Sequence, residues 1–225
     1  MGLWHRRRTP AAPLAALALA LALLLAGCGD AELPFAGEPG RATAITIDSW
    51  VPFVMGDVRL PDDGAASGPL LLDTGSPLTL LDRGATGLTA GRASAELRAF
   101  GLTFPGYPLV VTDVFAGEDP CQSRPTAGIV GGDLLRHFRL GLDYKAGRAY
   151  LFRGPEADDA TLDADTEPPL RVPLEVLGGG TVAGLAGVEG SVGVPGTRLV
   201  VARVRVEGRD AVAVIDTGAS LNLIG

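Results

Sequence analysis

Residues 70–76 read Leu-Leu-Leu-Asp-Thr-Gly-Ser, an apolar run that ends in an acid and then turns on Thr-Gly. Residues 212–220 repeat the pattern as Val-Ala-Val-Ile-Asp-Thr-Gly-Ala-Ser. A buried strand that ends in aspartate places a carboxylate where ionisation is costly. Two such copies indicate that Asp73 and Asp216 meet. Two adjacent carboxyl groups do not both ionise readily, so one keeps a proton while the other acts as a base.

The rest of the composition is typical of an all-β protein. Runs of Val, Leu and Thr are punctuated by 32 glycines and 17 prolines, as expected for short strands joined by turns. The 225 residues are enough for one large domain or two small ones. Acids outnumber bases by 26 to 19, and no basic stripe follows residue 8. We therefore expect no nucleic-acid partner.

Residues 1–27 have the features of a bacterial export signal. A basic segment, His-Arg-Arg-Arg at 5–8, precedes an apolar stretch at 14–25 that is too short for a comfortable membrane span. The sequence Leu-Ala-Gly-Cys at 25–28 resembles the lipobox of bacterial lipoproteins. The resemblance implies cleavage before Cys28 and a diacylglyceryl group on its thiol. The alternative is an ordinary signal peptide with an incidental cysteine.

Lipid chains on Cys28 would tether the protein to a membrane surface without spanning it. The expected location is therefore the periplasmic or cell-surface side of a bacterial membrane. After residues 1–27 we predict a tether at 28–43, a complete β lobe at 44–153 and a linker at 154–197, acidic at first and then Gly-rich. Residues 198–225 are expected to begin a second lobe with a β-hairpin.

The two Asp-Thr-Gly copies form an internal repeat of strand, turn and strand. The first copy continues for 80 residues, from Asp73 to Arg153, and the second for nine, from Asp216 to Gly225. The simplest interpretation is a truncated second lobe that lacks roughly 70 or more residues. We therefore expect the chain alone to be inactive or weakly active, with a poorly anchored C-terminal hairpin.

These segments resemble the aspartic proteases of the pepsin and retropepsin type. Besides the two Asp-Thr-Gly segments, residues 128–134 read Gly-Ile-Val-Gly-Gly-Asp-Leu and match the family's strand–glycine element. In the family this element packs behind the catalytic loop, which assigns that role to Ile129, Val130 and Gly131. The resemblance implies an all-β, retropepsin-like barrel with one complete lobe plus the first hairpin of a second.

The resemblance also assigns roles around the two catalytic aspartates. Thr74 and Thr217 would bond across the two loops and lock the lobes together. Ser76 can donate its hydroxyl to Asp73 and favour the ionised form, whereas Ala219 has no hydroxyl to offer Asp216.

The need for glycine at positions 75 and 218 has a physical reason that is independent of the resemblance. Glycine lets each loop turn tightly and approach the facing loop without a Cβ clash, and the glycine amides can hydrogen-bond the carboxylates. Elsewhere in lobe one, Asp133 is a plausible cap for a short helix through Arg139. A flap over the substrate is expected within residues 93–104.

The implied activity is hydrolysis of a peptide or protein substrate without metal or cofactor. Asp73 and Asp216 share one proton, and the ionised member activates a water that attacks the amide carbonyl. An alternative pairing is a homodimer of lobe one, in which Asp73 faces a second Asp73. An alternative function is a non-catalytic, membrane-tethered lipoprotein that binds peptides or a protein partner in the barrel cleft.

Overall fold

The computed structural model describes residues 32–115, 126–153, 174–183, 185, 188 and 191–219, and they are mostly β-strand. The strands, in chain order, are β1 (Thr43–Asp48), β2 (Val51–Arg59), β3 (Ala65–Leu72), β4 (Leu80–Asp82), β5 (Gly91–Ala99), β6 (Leu102–Thr112), β7 (Gly128–Val130), β8 (Arg139–Asp143), β9 (Arg148–Phe152), β10 (Leu174–Ala183), β11 (Ser191–Val206) and β12 (Arg209–Val214). Two one-turn helices lie among them, α1 (Arg83–Thr86) and α2 (Gly132–Leu135). The predicted all-β class is confirmed.

Six strands close into a mixed β-barrel. The ring runs β2, β3, β7, β4, β6 and β5, and it closes because β2 pairs with both β3 and β5. The β3–β7 and β4–β6 pairs are parallel, whereas the others are antiparallel. Inward-facing side chains fill the ring, and the largest fully buried ones include Phe104, Leu70, Leu72, Leu97 and Val130. Burial of this apolar surface is the main force that holds the barrel together.

The predicted tether at 28–43 is wrong from Leu33 onwards. Leu33 and Phe35 pack against the barrel core, and the Phe35 ring lies 6.3 Å from that of Phe104 and 5.4 Å from that of Phe138. Burial of these two apolar side chains stabilises the folded state, whereas a solvated tether would leave them exposed to water. Cys28 and the predicted signal at 1–27 lie outside the described residues.

The predicted linker at 154–197 is also wrong in its Gly-rich half. β10 and β11 pair antiparallel from Leu174 opposite Ala202 to Ala183 opposite Ser191, with a register shift between Gly178 and Gly180. Glycine weakens a strand but also suits the irregularity of a β-bulge, so a Gly-rich stretch can still be a strand. The acidic half of the predicted linker, up to residue 173, lies outside the described residues.

β11 and β12 form the hairpin predicted to lead into the second Asp-Thr-Gly. Its anchoring differs between the strands: Val201 and Ala202 of β11 are almost fully buried, whereas β12 is mostly exposed, as the expected poor anchoring implies. Just before this hairpin, Leu185 and Val188 pack against Leu78. The hairpin is therefore held against the barrel by apolar contacts as well as by the hydrogen bonds described below.

Two local predictions for lobe one are wrong. The hairpin of β5 and β6 turns at residues 100–101, but Leu97, Leu102 and Phe104 are at most 2% exposed. A hairpin buried this deeply in the core cannot lift away as a flap. The short helix is capped by Gly131 and ends at Leu135, so Asp133 lies inside it rather than at its cap.

Within the described part of the chain, no helix combines the length and apolar character needed to cross a membrane.

Candidate active site

Two Asp-Thr-Gly loops meet at this site, one after β3 and the other after β12. Each carboxylate is held by backbone amides of its own loop. The amides of Gly75 and Ser76 donate to Asp73 Oδ1 at 2.8 and 3.0 Å, and the amide of Gly218 donates to Asp216 Oδ1 at 2.8 Å. Such bonds fix each carboxylate, and those to Asp73 favour its ionised form.

The two threonines bond across the loops in matching pairs. The Thr74 amide donates to Thr217 Oγ1, and the Thr217 amide donates to Thr74 Oγ1, both at 3.1 Å. Each hydroxyl also donates a hydrogen bond to a backbone carbonyl of the opposite segment. Thr74 donates to Ile215 at 2.6 Å, and Thr217 donates to Leu72 at 2.7 Å. Each hydroxyl thus accepts one hydrogen bond and donates another, and the loops are locked face to face.

Each carboxyl lies against the glycine of the other loop. A Cβ on Gly75 would lie 2.5 Å from Asp216 Cγ, and a Cβ on Gly218 would lie 2.5 Å from Asp73 Cγ. Real Cβ atoms do not come this close, so only glycine permits the approach. The two carboxyl groups are therefore close neighbours, and Asp216 acts on the pKa of Asp73. The structure therefore brings both aspartates together within one chain.

The surroundings of Asp73 favour its protonated form. Burial is the largest cause, followed by the hydrogen bond and the charge of Asp216, and together they raise the pKa of Asp73 from 3.8 to about 6. The amides of Gly75 and Ser76 act in the opposite direction. Asp73 therefore keeps its proton to a higher pH than an ordinary aspartate.

Ser76 supports Asp73 differently from the prediction. Its backbone amide contacts Asp73, but its hydroxyl donates to the Leu78 carbonyl at 2.8 Å. The side chain is buried away from the carboxylate, so its single proton is used within the turn. The prediction that the Ser76 hydroxyl donates to Asp73 is therefore wrong, and with it the proposed difference from Ala219.

The strand–glycine element lies directly behind the first loop. The Asp73 amide donates to the Val130 carbonyl at 3.1 Å, and the Gly132 amide donates to the Ser76 carbonyl at 2.8 Å. A Cβ on Gly131 would lie 2.2 Å from the Leu78 carbonyl oxygen, so this contact requires glycine. Val130 and Gly131 thus contact the first loop directly, and Ile129 pairs with Leu71 in the neighbouring strand.

A buried polar network, which the sequence analysis did not find, supports the same element. Thr79 is 1% exposed, donates to Asp133 Oδ1 at 2.7 Å and accepts from the Gly131 amide at 3.2 Å. Tyr107 Oη lies 3.3 Å from Thr79 Oγ1 and is the donor there, because the Thr79 proton is already given to Asp133. Burial raises the pKa of both Asp133 and Tyr107. Thr79 interrupts an apolar run, which was the available sequence signal.

An apolar cluster lies on the same side of the sheet as Asp73; we call it the site-side cluster. Leu71 precedes Asp73 by two residues and so shares its face of the strand. Phe53 and Ile129 flank Leu71 in the neighbouring strands. The cluster consists of Val51, Phe53, Leu71 and Ile129, with Leu80, Val114 and Phe115 packed against them.

Comparison of the chain with protein-family models, curated proteins and solved structures found no match. The geometry of the two loops is therefore the basis for a functional proposal.

Proposed function

We propose that the protein is an aspartic-type endopeptidase of the retropepsin-like class. The observation that carries this proposal is the pairing of Asp73 and Asp216, each placed against the glycine of the other's loop. Holding the half-buried Asp73 carboxyl beside a second carboxyl group is costly, and binding alone gives no reason for it. Proton transfer to and from a substrate does give a reason for placing two carboxyl groups together.

The proposed reaction uses one proton shared by the pair. The ionised member takes a proton from a water molecule, and the resulting hydroxide adds to the carbonyl carbon of the scissile amide. The protonated member gives its proton to the carbonyl oxygen, which yields a neutral diol. The protonated member then gives its proton to the amide nitrogen while the ionised member takes a proton from one diol hydroxyl, so the C–N bond breaks and a carboxylic acid and an amine are released. The pair ends with the single proton that it held at the start.

The site-side cluster favours substrates with apolar side chains near the cleaved bond. Leu71 and Phe53 bring apolar surface to the face that carries Asp73, and Phe115 lies partly buried against it. When an apolar substrate side chain covers this surface, removal of apolar surface from water favours binding. We therefore propose peptide or protein substrates in which a large apolar residue is adjacent to the scissile bond.

We further propose that the enzyme is exported and anchored by lipid on Cys28. The lipobox-like sequence at 25–28 supports this, and Leu33, the first residue packed on the barrel, follows only five positions later. Five residues reach at most about 18 Å. Incorporation of a labelled fatty acid should be lost in Cys28→Ser, and retention of the label in that variant would contradict the anchor.

The enzyme proposal is tested with a library of quenched fluorescent peptides at mildly acidic pH. We expect cleavage by the wild type, inhibition by a statine-containing peptide that mimics the diol, and loss of cleavage in Asp73→Asn. Asp62→Asn is the matched control, because Asp62 lies in an exposed turn. Tight binding of peptides without any cleavage would instead support the alternative of a non-catalytic binding lipoprotein.

A further inference from the structure

Asp82 lies at the end of β4, beside the site-side cluster, and is only 8% exposed. It follows Leu81 in the barrel wall and lies opposite Thr112, the last residue of β6. A buried carboxylate needs hydrogen-bond donors, and the neighbouring chain segments supply them.

The two carboxylate oxygens of Asp82 serve two different segments. Oδ2 accepts from the Ala85 amide at 2.8 Å and so caps α1. Oδ1 accepts from the Val114 amide at 3.0 Å and from the Phe115 amide at 3.2 Å. One side chain therefore fixes α1 and the segment that follows β6.

The hydrogen bonds that the Val114 and Phe115 amides donate to Asp82 take the place of hydrogen bonds to a neighbouring strand. β6 ends at Thr112, so these two amides lie beyond the end of the strand. Backbone amides that leave water need an acceptor, and Asp82 provides one for both. With their backbone held, the side chains of Val114 and Phe115 pack on the site-side cluster next to Leu71.

We propose that Asp82 is a specificity-positioning residue, which holds Val114 and Phe115 as one wall of the pocket for the substrate's apolar side chain. This inference rests on the proposed peptidase function. Asp82 acts through the backbone of the wall and belongs to neither Asp-Thr-Gly loop. The competing role is purely structural, as the cap of α1.

Amide hydrogen exchange separates the two roles without any need for activity. In Asp82→Ala of the full chain, we expect exchange at Val114 and Phe115 to accelerate at least about tenfold, since both amides lose their acceptor. The control is Asp113→Ala, which removes a half-buried carboxylate that pairs with Arg83 at 2.8 Å in the same region. Exchange at Val114 and Phe115 that is unchanged in Asp82→Ala would overturn the proposal.

Kinetics test the consequence for the substrate. For a peptide with Phe or Leu adjacent to the scissile bond, we expect Asp82→Ala to raise KM about tenfold with little change in kcat, because the lost apolar contact binds the substrate and the transition state equally. Asp113→Ala should leave both constants close to those of the wild type. A fall in kcat with KM unchanged would overturn the proposal.

A double-mutant cycle with Phe115→Ala completes the test. If Asp82 acts through the wall, Asp82→Ala should add little to the KM effect of Phe115→Ala. Additive effects would assign Asp82 to another role. Should the wild type neither cleave nor bind a statine peptide, the proposed function fails, and the specificity role fails with it. If the wild type cleaves normally and the KM values of Asp82→Ala and Asp113→Ala are equal, only the inference about Asp82 is rejected.

Discussion

Thr74 and Thr217 each donate a backbone amide to the other's hydroxyl, at 3.1 Å in both directions, across 143 positions of sequence. The reciprocity follows from the repeat, because two loops with the same local sequence present the same donors and acceptors. It fixes the distance between the loops before any substrate is bound. The carboxyl groups of Asp73 and Asp216 are thereby held in contact at little further entropic cost.

Removal of the Thr74 hydroxyl should loosen this lock. Thr74→Val keeps the shape of the side chain but leaves the Thr217 amide and the Ile215 carbonyl without their partner, at a cost of about 2 kcal/mol. Thr74→Ser keeps the hydroxyl and should be nearly neutral. Urea denaturation measures the free energy of unfolding, with Thr46→Val on the exposed face of β1 as control. Equal stability of the Val and Ser variants would contradict the role of the hydroxyl.

A methyl group on Gly75 should be harmful because of Asp216. The Gly75 backbone is not left-handed, so the cost of Gly75→Ala comes from contact with the Asp216 carboxyl. Such overpacking typically costs about 1–3 kcal/mol. In an Asp216→Ala background the contact is gone, so the same change should cost clearly less. Denaturation of the four proteins in this cycle gives the coupling, and strictly additive costs would show that the carboxyl does not lie against Gly75.

The stability of the protein should depend on pH through Asp73. Since its pKa is raised from 3.8 to about 6, the folded state holds more protons than the unfolded state between these values. The stabilisation is fully present below 3.8 and is lost as the pH rises through 6. The free energy of unfolding, measured across this range, should fall less steeply in Asp73→Asn than in the wild type. Identical slopes would rule out a raised pKa.

Thr79→Val should destabilise the protein more at neutral than at acidic pH. The Thr79 hydroxyl stabilises the ionised form of Asp133, whose pKa burial already raises. Without that donor, the pKa of Asp133 rises further, and more stability is lost as the pH increases. Denaturation at about pH 4 and pH 7, again with Thr46→Val as control, checks this, at an expected cost of about 1–3 kcal/mol at neutral pH. A cost that is the same at both pH values would separate Asp133 from this network.

The parts of the site that the sequence predicted well are local. An apolar strand, Asp-Thr-Gly and a small residue specify the turn and the glycine contacts within a few positions of Asp73. The same holds for the hairpin of β11 and β12, whose strands and turn are adjacent in sequence. The element at 128–131 was found because its glycines interrupt an apolar run in a recognisable order.

The parts that were wrong or missed depend on tertiary contacts. Phe35 lies in a short segment without periodicity, and only its distance to Phe104 and Phe138 shows that it fills the barrel. The flap predicted within residues 93–104 lies instead in the hairpin of β5 and β6, whose burial depends on the closure of the ring. Asp82 looks like an ordinary acid at a strand end, since its partners at 114–115 lie 32 and 33 positions away.

The sequence alone led us to expect an inactive or weakly active chain, because the second lobe was taken to be truncated. Since Val201 and Ala202 are buried and the threonines bond across the loops, we now predict measurable cleavage by the chain as it stands. The dyad then belongs to one chain.

The most direct test is peptide cleavage by the wild type, Asp73→Asn, Asp216→Asn and an equimolar mixture of the two variants. A dyad within one chain predicts loss of at least about a thousandfold in kcat/KM for each variant, and no recovery in the mixture. A dyad between two copies of Asp73 predicts instead that Asp216→Asn remains active. Wild-type cleavage that persists in Asp216→Asn, or no wild-type cleavage at all, would contradict the proposal that Asp73 and Asp216 of one chain form the catalytic pair.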